Sequence, residues 1–80
     1  MYYVYMLKNL FTEELYYGYT NDVDRRMEEH NYPNKQWKLV YFEAYLSEKD
    51  ARTRERHLKH YGQARSHLKN RVSDSLNMEN

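Results

Sequence analysis

The chain has 80 residues, no cysteine and a formal net charge of +1. This length allows one domain with one small core, and the absence of cysteine argues against a disulfide-rich secreted scaffold. Because no apolar run is long enough to cross a bilayer and no signal peptide is recognisable, we expect a cytoplasmic protein that does not insert into a membrane.

The first half of the chain predicts a hairpin followed by a helix. Residues 2–8 alternate aromatic and aliphatic side chains, which is typical of a strand, and residues 15–20 form a second, Tyr-rich run. The polar residues 9–14 connect the two strands. Thr20 or Asn21 is expected to cap a helix that ends near His30, where a turn signal follows.

The second half predicts one more strand and two helices. Residues 37–46 alternate again, and Ser47 starts a helix that ends near Tyr61 with Gly62 as its C-cap. A shorter helix over about 63–71 follows. The order β-β-α-β-α-α predicts an α+β domain over residues 1–72, with a small three-stranded antiparallel sheet flanked by helices. Residues 73–80 are expected to form a disordered tail.

The ten tyrosines compensate for a scarcity of aliphatic residues. Isoleucine is absent, and Val, Leu and Phe together number 14. Aromatic rings carry a large buried area, so they can complete a small core. Six tyrosines are assigned to packing on this ground: Tyr2, Tyr3, Tyr17, Tyr19, Tyr41 and Tyr45.

Positive charge is concentrated in one segment. Residues 47–71 carry eight Lys or Arg and three Asp or Glu, a net charge of +5, whereas residues 1–46 have a net charge of −2. A basic segment on a nearly neutral chain suggests a nucleic-acid partner. A solvated helix face explains the same pattern equally well.

Two tyrosines of the hairpin are candidates for chemistry. If Lys8 pairs with Leu15, then Tyr5 lies opposite Gly18 and shares a sheet face with Tyr16 as a diagonal neighbour. Two phenols on one face can contact a common ligand. They can equally be packed in or beside the core, and a slip of one residue would separate them.

Three further side chains join these candidates. Arg26 and His30 are four residues apart, so they project from the same helix face. Glu55 lies on the inward stripe of the later helix, where a carboxylate is costly unless it is paired or binds a metal. A salt bridge with Arg26 or Arg54 is therefore the alternative to a metal site at Glu55. His57 and His60 are three residues apart and could supply two ligands of a zinc site, but no second pair of ligands is well placed.

These residues resemble the GIY-YIG nuclease family. The resemblance is carried by Tyr3-Val4-Tyr5, by Tyr16-Tyr17-Gly18 with the residues that follow it up to Arg26, and by a glutamate in a later helix. It covers residues 2–71 and is closest to small single-domain members that are similar to the nuclease module of an excinuclease. The first triplet begins with Tyr3 where the family has glycine, and Tyr19 stands where many members carry lysine.

The resemblance implies a metal-dependent DNA endonuclease. It implies five catalytic residues: Tyr5, Tyr16, Arg26, His30 and Glu55. Glu55 would hold one divalent cation, Mg²⁺ or Mn²⁺, Arg26 would contact phosphate, and Tyr5 is favoured over Tyr16 as the general base. Basic side chains are expected to follow the DNA phosphate backbone: Arg25, Arg52, Arg56, Lys59, Arg65 and Lys69.

Two main functions are therefore predicted, in different classes. The first is an endonuclease directed to a DNA structure or to damage, in DNA repair or recombination, with a protein partner supplying specificity. The second is a nucleic-acid-binding or adaptor module that has the same fold without useful turnover. A zinc-binding interaction module based on His57 and His60 is the third and weakest alternative.

Overall fold

The predicted α+β fold is confirmed by a computed structural model, which describes residues 1–78. Within these residues, seven elements follow one another: β1 (Tyr2–Asn9), β2 (Leu15–Thr20), α1 (Val23–His30), β3 (Trp37–Tyr45), α2 (Glu48–His60), α3 (Gly62–Arg71) and α4 (Ser73–Asn77). The predicted order holds through α3, and α4 is an additional short helix. Within the described residues, no helix combines the length and the apolar character that a membrane crossing requires.

The sheet is antiparallel throughout, with strand order β2-β1-β3. Lys8 pairs with Leu15 and Tyr5 pairs with Gly18, which is the register on which the shared face of Tyr5 and Tyr16 depends. The pairing of β1 with β3 is interrupted by an irregularity between Met6 and Leu7. Because side chains alternate along each strand, this register gives the sheet two faces of different composition.

One sheet face forms the main core with α2 and α3. Val4, Met6 and Tyr17 pack there with buried side chains from the helices: Ala51, Leu58, Leu68 and Val72. Tyr2, Tyr19, Tyr41 and Tyr45 are partly buried against this cluster. The tyrosines therefore contribute to the core, as their composition suggests.

Two predicted helix boundaries are wrong. Asp22, not Thr20 or Asn21, is the N-cap of α1, and its carboxylate accepts from the Arg25 N–H at 3.1 Å. The Thr20 hydroxyl instead accepts from the Asp22 N–H at 3.0 Å, which places the helix start after this short turn. Gly62 is not a C-cap: it begins α3 without a positive φ, and α2 ends at an extended Tyr61.

The C-terminal segment differs from the predicted tail. Residues 73–77 form α4, whose Leu76 packs against the core. The Lys8 ammonium donates to the Leu76 carbonyl at 2.9 Å, and the Lys38 ammonium donates to the Met78 carbonyl at 3.0 Å. The apolar contact and the two sheet lysines together hold the segment on the domain. The last two positions of the predicted tail, 79 and 80, lie outside the described residues.

Candidate active site

The second sheet face carries Tyr5 directly over Gly18. The Tyr5 side chain is 1% exposed, and a Cβ added at Gly18 would lie 2.3 Å from the Tyr5 hydroxyl oxygen. No Cβ tolerates such a contact, so the phenol can occupy this position only because residue 18 is glycine. A glycine inside a strand often marks a close approach by another group, and here that group is the phenol of the paired strand.

The phenol of Tyr5 belongs to a cluster of four aromatic side chains. The ring of Tyr5 lies 6.2 Å from that of Tyr16 and 5.9 Å from that of His30, measured between centroids. The Tyr5 hydroxyl and Nε2 of His30 are hydrogen-bonded at 3.0 Å. Trp37 lies at 6.2 Å from Tyr16 and 6.5 Å from His30, also between centroids. The predicted shared face of the two tyrosines is therefore present, and α1 adds the imidazole to it.

Helix α1 places Arg26 and His30 on one side, next to the phenols. One guanidinium nitrogen of Arg26, Nη1, lies 3.4 Å from Oε2 of Glu29. Nε of Arg26 is buried and has no hydrogen-bond partner within the described residues. A buried donor without a partner is uncommon. The Arg26 side chain as a whole is 34% exposed, so its guanidinium can reach an anionic ligand.

The loop after α1 fixes the position of His30, the last residue of that helix. The Asn31 amide donates to the Trp37 carbonyl at 3.0 Å, and its oxygen accepts from the backbone N–H of Gln36 and of Trp37 at 3.1 and 2.8 Å. These bonds tie the end of α1 to the start of β3. They therefore hold His30 and Trp37 in the same cluster.

The Tyr5–His30 pair is neutral at neutral pH. Burial raises the pKa of Tyr5, although the neighbouring Arg26 guanidinium opposes this shift by favouring the phenolate. Burial, followed by the positive charge of Arg26, lowers the pKa of His30. A neutral imidazole next to a neutral phenol can accept its proton; Arg26 favours the phenolate that this transfer produces and disfavours the imidazolium.

Glu55 lies beside this cluster on α2, with its side chain 24% exposed. Its negative charge contributes to the raised pKa of Tyr5. Oε2 of Glu55 is 3.4 Å from the ammonium of Lys59. The predicted alternative of a salt bridge with Arg26 or Arg54 is wrong, because Lys59 lies one turn away on the same helix and Arg54 pairs with Glu43 at 2.6 Å.

The basic residues assigned to DNA contact differ in the bonds that they already make within the protein. Arg25 is paired with Glu29 at 3.5 Å, and Arg52 is paired with Glu48 at 3.3 Å. Arg65 donates from Nη1 to the Leu58 and Lys59 carbonyls at 2.9 Å each, so it caps the end of α2. The other three lie at exposed positions of α2 and α3: Arg56, Lys59 and Lys69.

Trp37, Asn31 and Lys59 are site residues that the sequence does not assign to the chemistry. A signal for Trp37 exists, because it pairs with Asn9 and so shares a face with Tyr5. Asn31 is recognisable only as part of a turn. Lys59 is four residues after Glu55, which is the spacing of a helical ion pair, but its contact with the hairpin depends on the tertiary fold.

One of three comparisons with known proteins identifies a family. A family model described as the GIY-YIG catalytic domain matches residues 1–70. The matched range includes all five residues predicted to be catalytic. The searches of curated proteins and of solved structures returned no significant match.

Proposed function

The chain belongs to the GIY-YIG family of nucleases, and on that premise we propose that it is a divalent-metal-dependent endonuclease that hydrolyses phosphodiester bonds in DNA. The observation that carries this proposal is the 3.0 Å hydrogen bond between the Tyr5 hydroxyl and Nε2 of His30, next to Arg26. It joins a phenol to a neutral imidazole that can take its proton.

Tyr5 and His30 act together as the general base. With the imidazole proton on Nδ1, the phenol donates to Nε2. When a water attacks phosphorus, the phenol oxygen accepts a proton from this water while Nε2 takes the phenol proton. The new bond joins the water oxygen to phosphorus, and the bond from phosphorus to the leaving oxygen breaks. The leaving oxygen then takes a proton from solvent.

Arg26 and Tyr16 orient the phosphate. The guanidinium carries a permanent charge, and its unpartnered buried Nε offers a donor to a phosphate oxygen. Tyr16 lies beside the phenol of Tyr5 and can position the water or the phosphate. Trp37 packs on Tyr16 and His30, which limits the rotamers available to both.

Glu55 is the residue that would hold the divalent cation. Within the described residues, no group of three or more His, Asp or Glu side chains could enclose a metal. A lone, partly exposed carboxylate suits Mg²⁺ or Mn²⁺, because these ions keep several waters and use one or two carboxylates together with substrate phosphate. When bound, the cation would polarise the phosphate and stabilise the leaving oxygen.

The basic side chains of α2 and α3 would contact the DNA backbone. Arg56, Lys59 and Lys69 project from exposed positions on these helices. Contacts of this kind give salt-sensitive binding with little sequence preference. Choice of a damaged or branched substrate, and a role in repair or recombination, would then depend on DNA shape and on a protein partner.

One observation favours a second function. The carboxylate assigned to the metal is paired with Lys59, so a protein in which this pair persists would bind DNA without cutting it. That protein would serve as a DNA-binding adaptor. The two functions differ in turnover and share the DNA-binding surface.

A cleavage assay separates these functions. Glu55→Gln and Tyr5→Phe should each abolish Mg²⁺- or Mn²⁺-dependent nicking of duplex, branched and damaged DNA. Both should retain DNA affinity at the wild-type level or better. Glu28→Gln and Tyr32→Phe, which make the same chemical changes at exposed positions, should keep full activity.

Two outcomes would count against the endonuclease. Wild-type protein that binds DNA but leaves every substrate intact would favour the adaptor. Residual nicking that is equal in wild type and in Glu55→Gln would indicate a contaminating nuclease.

A further inference from the structure

Lys59 connects two parts of the proposed active site. Its ammonium is 3.4 Å from the Glu55 carboxylate and 5.6 Å from the centroid of the Tyr16 ring. Glu55 is on α2 and Tyr16 is on β2, so a single cation contacts side chains from two elements. An exposed i,i+4 ion pair alone would carry little meaning, but the contact with Tyr16 depends on the tertiary fold.

The backbone that carries Lys59 is held in place. Its carbonyl and that of Leu58 accept hydrogen bonds from Arg65 at 2.9 Å each. Leu58 itself is 1% exposed and anchors the last turns of α2 in the core. Because the start of the side chain is fixed in this way, Glu55 and Tyr16 both stay within reach of the ammonium.

We propose that Lys59 is an exchangeable counter-ion of Glu55, an inference that rests on the proposed function. Without metal, the ammonium neutralises the carboxylate. With Glu55 holding a divalent cation, the Lys59 ammonium would be repelled and would turn to a DNA phosphate oxygen beside Tyr16. Lys59 therefore competes with the metal in free protein and contributes to DNA binding once the carboxylate no longer holds it.

This exchange links two binding events. Removal of the Glu55 charge by any means releases Lys59 for phosphate, so DNA affinity should rise. Removal of the Lys59 charge leaves Glu55 without its competitor, so metal affinity should rise. A lysine with a purely structural role in α2 would produce neither effect.

The first test measures metal binding without DNA. Mn²⁺ affinity, measured by calorimetry and by paramagnetic resonance of the free ion, should increase about 2- to 10-fold in Lys59→Met relative to wild type. Lys49→Met removes the same charge from the opposite end of α2 and should leave the affinity unchanged. Lys59→Arg should bind Mn²⁺ like wild type, and Glu55→Gln should lose this site.

The second test measures duplex DNA binding in EDTA, where no cleavage occurs. Glu55→Gln should bind about 2- to 5-fold more tightly than wild type. The double variant Glu55→Gln/Lys59→Met should lose this gain, whereas Glu55→Gln/Lys49→Met should keep it apart from the general loss of one positive charge. This double-mutant cycle isolates the coupling between the two side chains.

The results distinguish this inference from the proposed function. Equal Mn²⁺ affinity in wild type, Lys59→Met and Lys49→Met, or absence of binding in all three, would overturn the exchange even where the protein cuts DNA. An equal gain in DNA affinity with and without Lys59 would also overturn it. Tighter Mn²⁺ binding in Lys59→Met, together with a failed cleavage assay, would support the exchange and refute the endonuclease.

Discussion

The two faces of the sheet use tyrosine hydroxyls in opposite ways. On the core face, the hydroxyls of Tyr41 and Tyr45 donate to the Glu43 carboxylate at 2.5 and 2.6 Å, and Arg54 pairs with it at 2.6 Å. On the site face, the Tyr5 hydroxyl bonds to a neutral imidazole. Nearby, a buried nitrogen of Arg26 has no partner within the described residues.

The difference concerns how completely polar groups are satisfied. Around Glu43 the charges and donors complement one another, which is the arrangement expected of a group that stabilises a fold. Around Tyr5 the hydrogen bond can change direction, and one buried donor of Arg26 has no partner among the described residues. The same residue types therefore form a closed network on one face and an open one on the other.

Substitution of Gly18 is the most disruptive test of the site face. Gly18→Ala would place a Cβ 2.3 Å from the Tyr5 hydroxyl oxygen, so the phenol must leave His30. We expect DNA cleavage to fall at least about 100-fold, because a shift of about 1 Å has such an effect on a positioned group. The free energy of unfolding should fall by about 1–3 kcal/mol. Cleavage rates and urea denaturation measure the two effects.

Gly62→Ala is the matched control. The nearest atom to its added Cβ is Nη2 of Arg65 at 3.7 Å, which is an ordinary contact. Because Gly62 is in a helix without a positive φ, alanine should stabilise the protein by about 0.5–1 kcal/mol. Normal cleavage by Gly18→Ala would contradict the assignment of the Tyr5–His30 pair as the base.

A substitution in the Glu43 network of the core face should lower stability without changing catalysis. Glu43→Gln removes the charge that pairs with Arg54 and turns an acceptor into a group with competing donors, so we expect a loss of about 2–4 kcal/mol. The rate of DNA cleavage under stabilising conditions should be unchanged. Urea denaturation at neutral pH measures the first quantity.

A smaller network around a more exposed glutamate, with one tyrosine instead of two, supplies the control. The Tyr19 hydroxyl and Arg52 both donate to the Glu48 carboxylate at the surface. Glu48→Gln should cost less than about 1 kcal/mol, since an exposed ion pair contributes little. Equal losses in Glu48→Gln and Glu43→Gln would mean that burial of the Glu43 network has no energetic importance.

The two faces should also lose stability in different pH ranges. The pKa of His30 is lowered in the folded protein, so the unfolded chain binds the proton more readily and stability falls as the pH drops below about 6.5. Burial pushes the pKa of Glu43 upward, but the hydrogen bonds from Tyr41, Tyr45 and Arg54 outweigh burial, and the net pKa is lowered. Its contribution is present above about 4.3 and is lost as the pH falls through the folded pKa.

Thermal melts between pH 8 and pH 3 separate these two contributions. His30→Gln should flatten the decline that begins below about pH 6.5, an effect smaller than that of Glu43→Gln at neutral pH. His60→Gln, at an exposed position of α2, should leave the profile unchanged. An unaltered decline in His30→Gln would show that another group titrates there.

The sequence predicts the parts of the site on the hairpin and on α1 better than the part on α2. Once Lys8 pairs with Leu15, alternation of side chains places Tyr5 opposite Gly18, and the structure has this pairing. Arg26 and His30 follow from the helical repeat. These are local rules, and the structure confirms them.

The remaining features depend on contacts between elements. As the alternative to a metal, the sequence offers an arginine as the ion-pair partner of Glu55. In the structure Lys59 is that partner, and Arg54 pairs with Glu43. The irregularity between Met6 and Leu7 falls opposite the apolar run at Leu39–Tyr41, where no polar residue marks which face is buried. Residues 73–77 look polar, and only the packed Leu76 and the sheet lysines explain their position.

The smallest expected effect concerns Tyr17, whose hydroxyl is buried in the core face without a hydrogen-bond partner within the described residues. Tyr17→Phe removes an unsatisfied polar atom, so the free energy of unfolding should stay the same or rise by up to about 1 kcal/mol. Tyr41→Phe, which removes a satisfied hydroxyl from the same face, should lower it by about 1–1.5 kcal/mol. Urea denaturation of both variants measures the difference. A loss above about 1 kcal/mol in Tyr17→Phe would mean that this hydroxyl has a polar partner, and the core face would then be more completely satisfied than its direct contacts indicate.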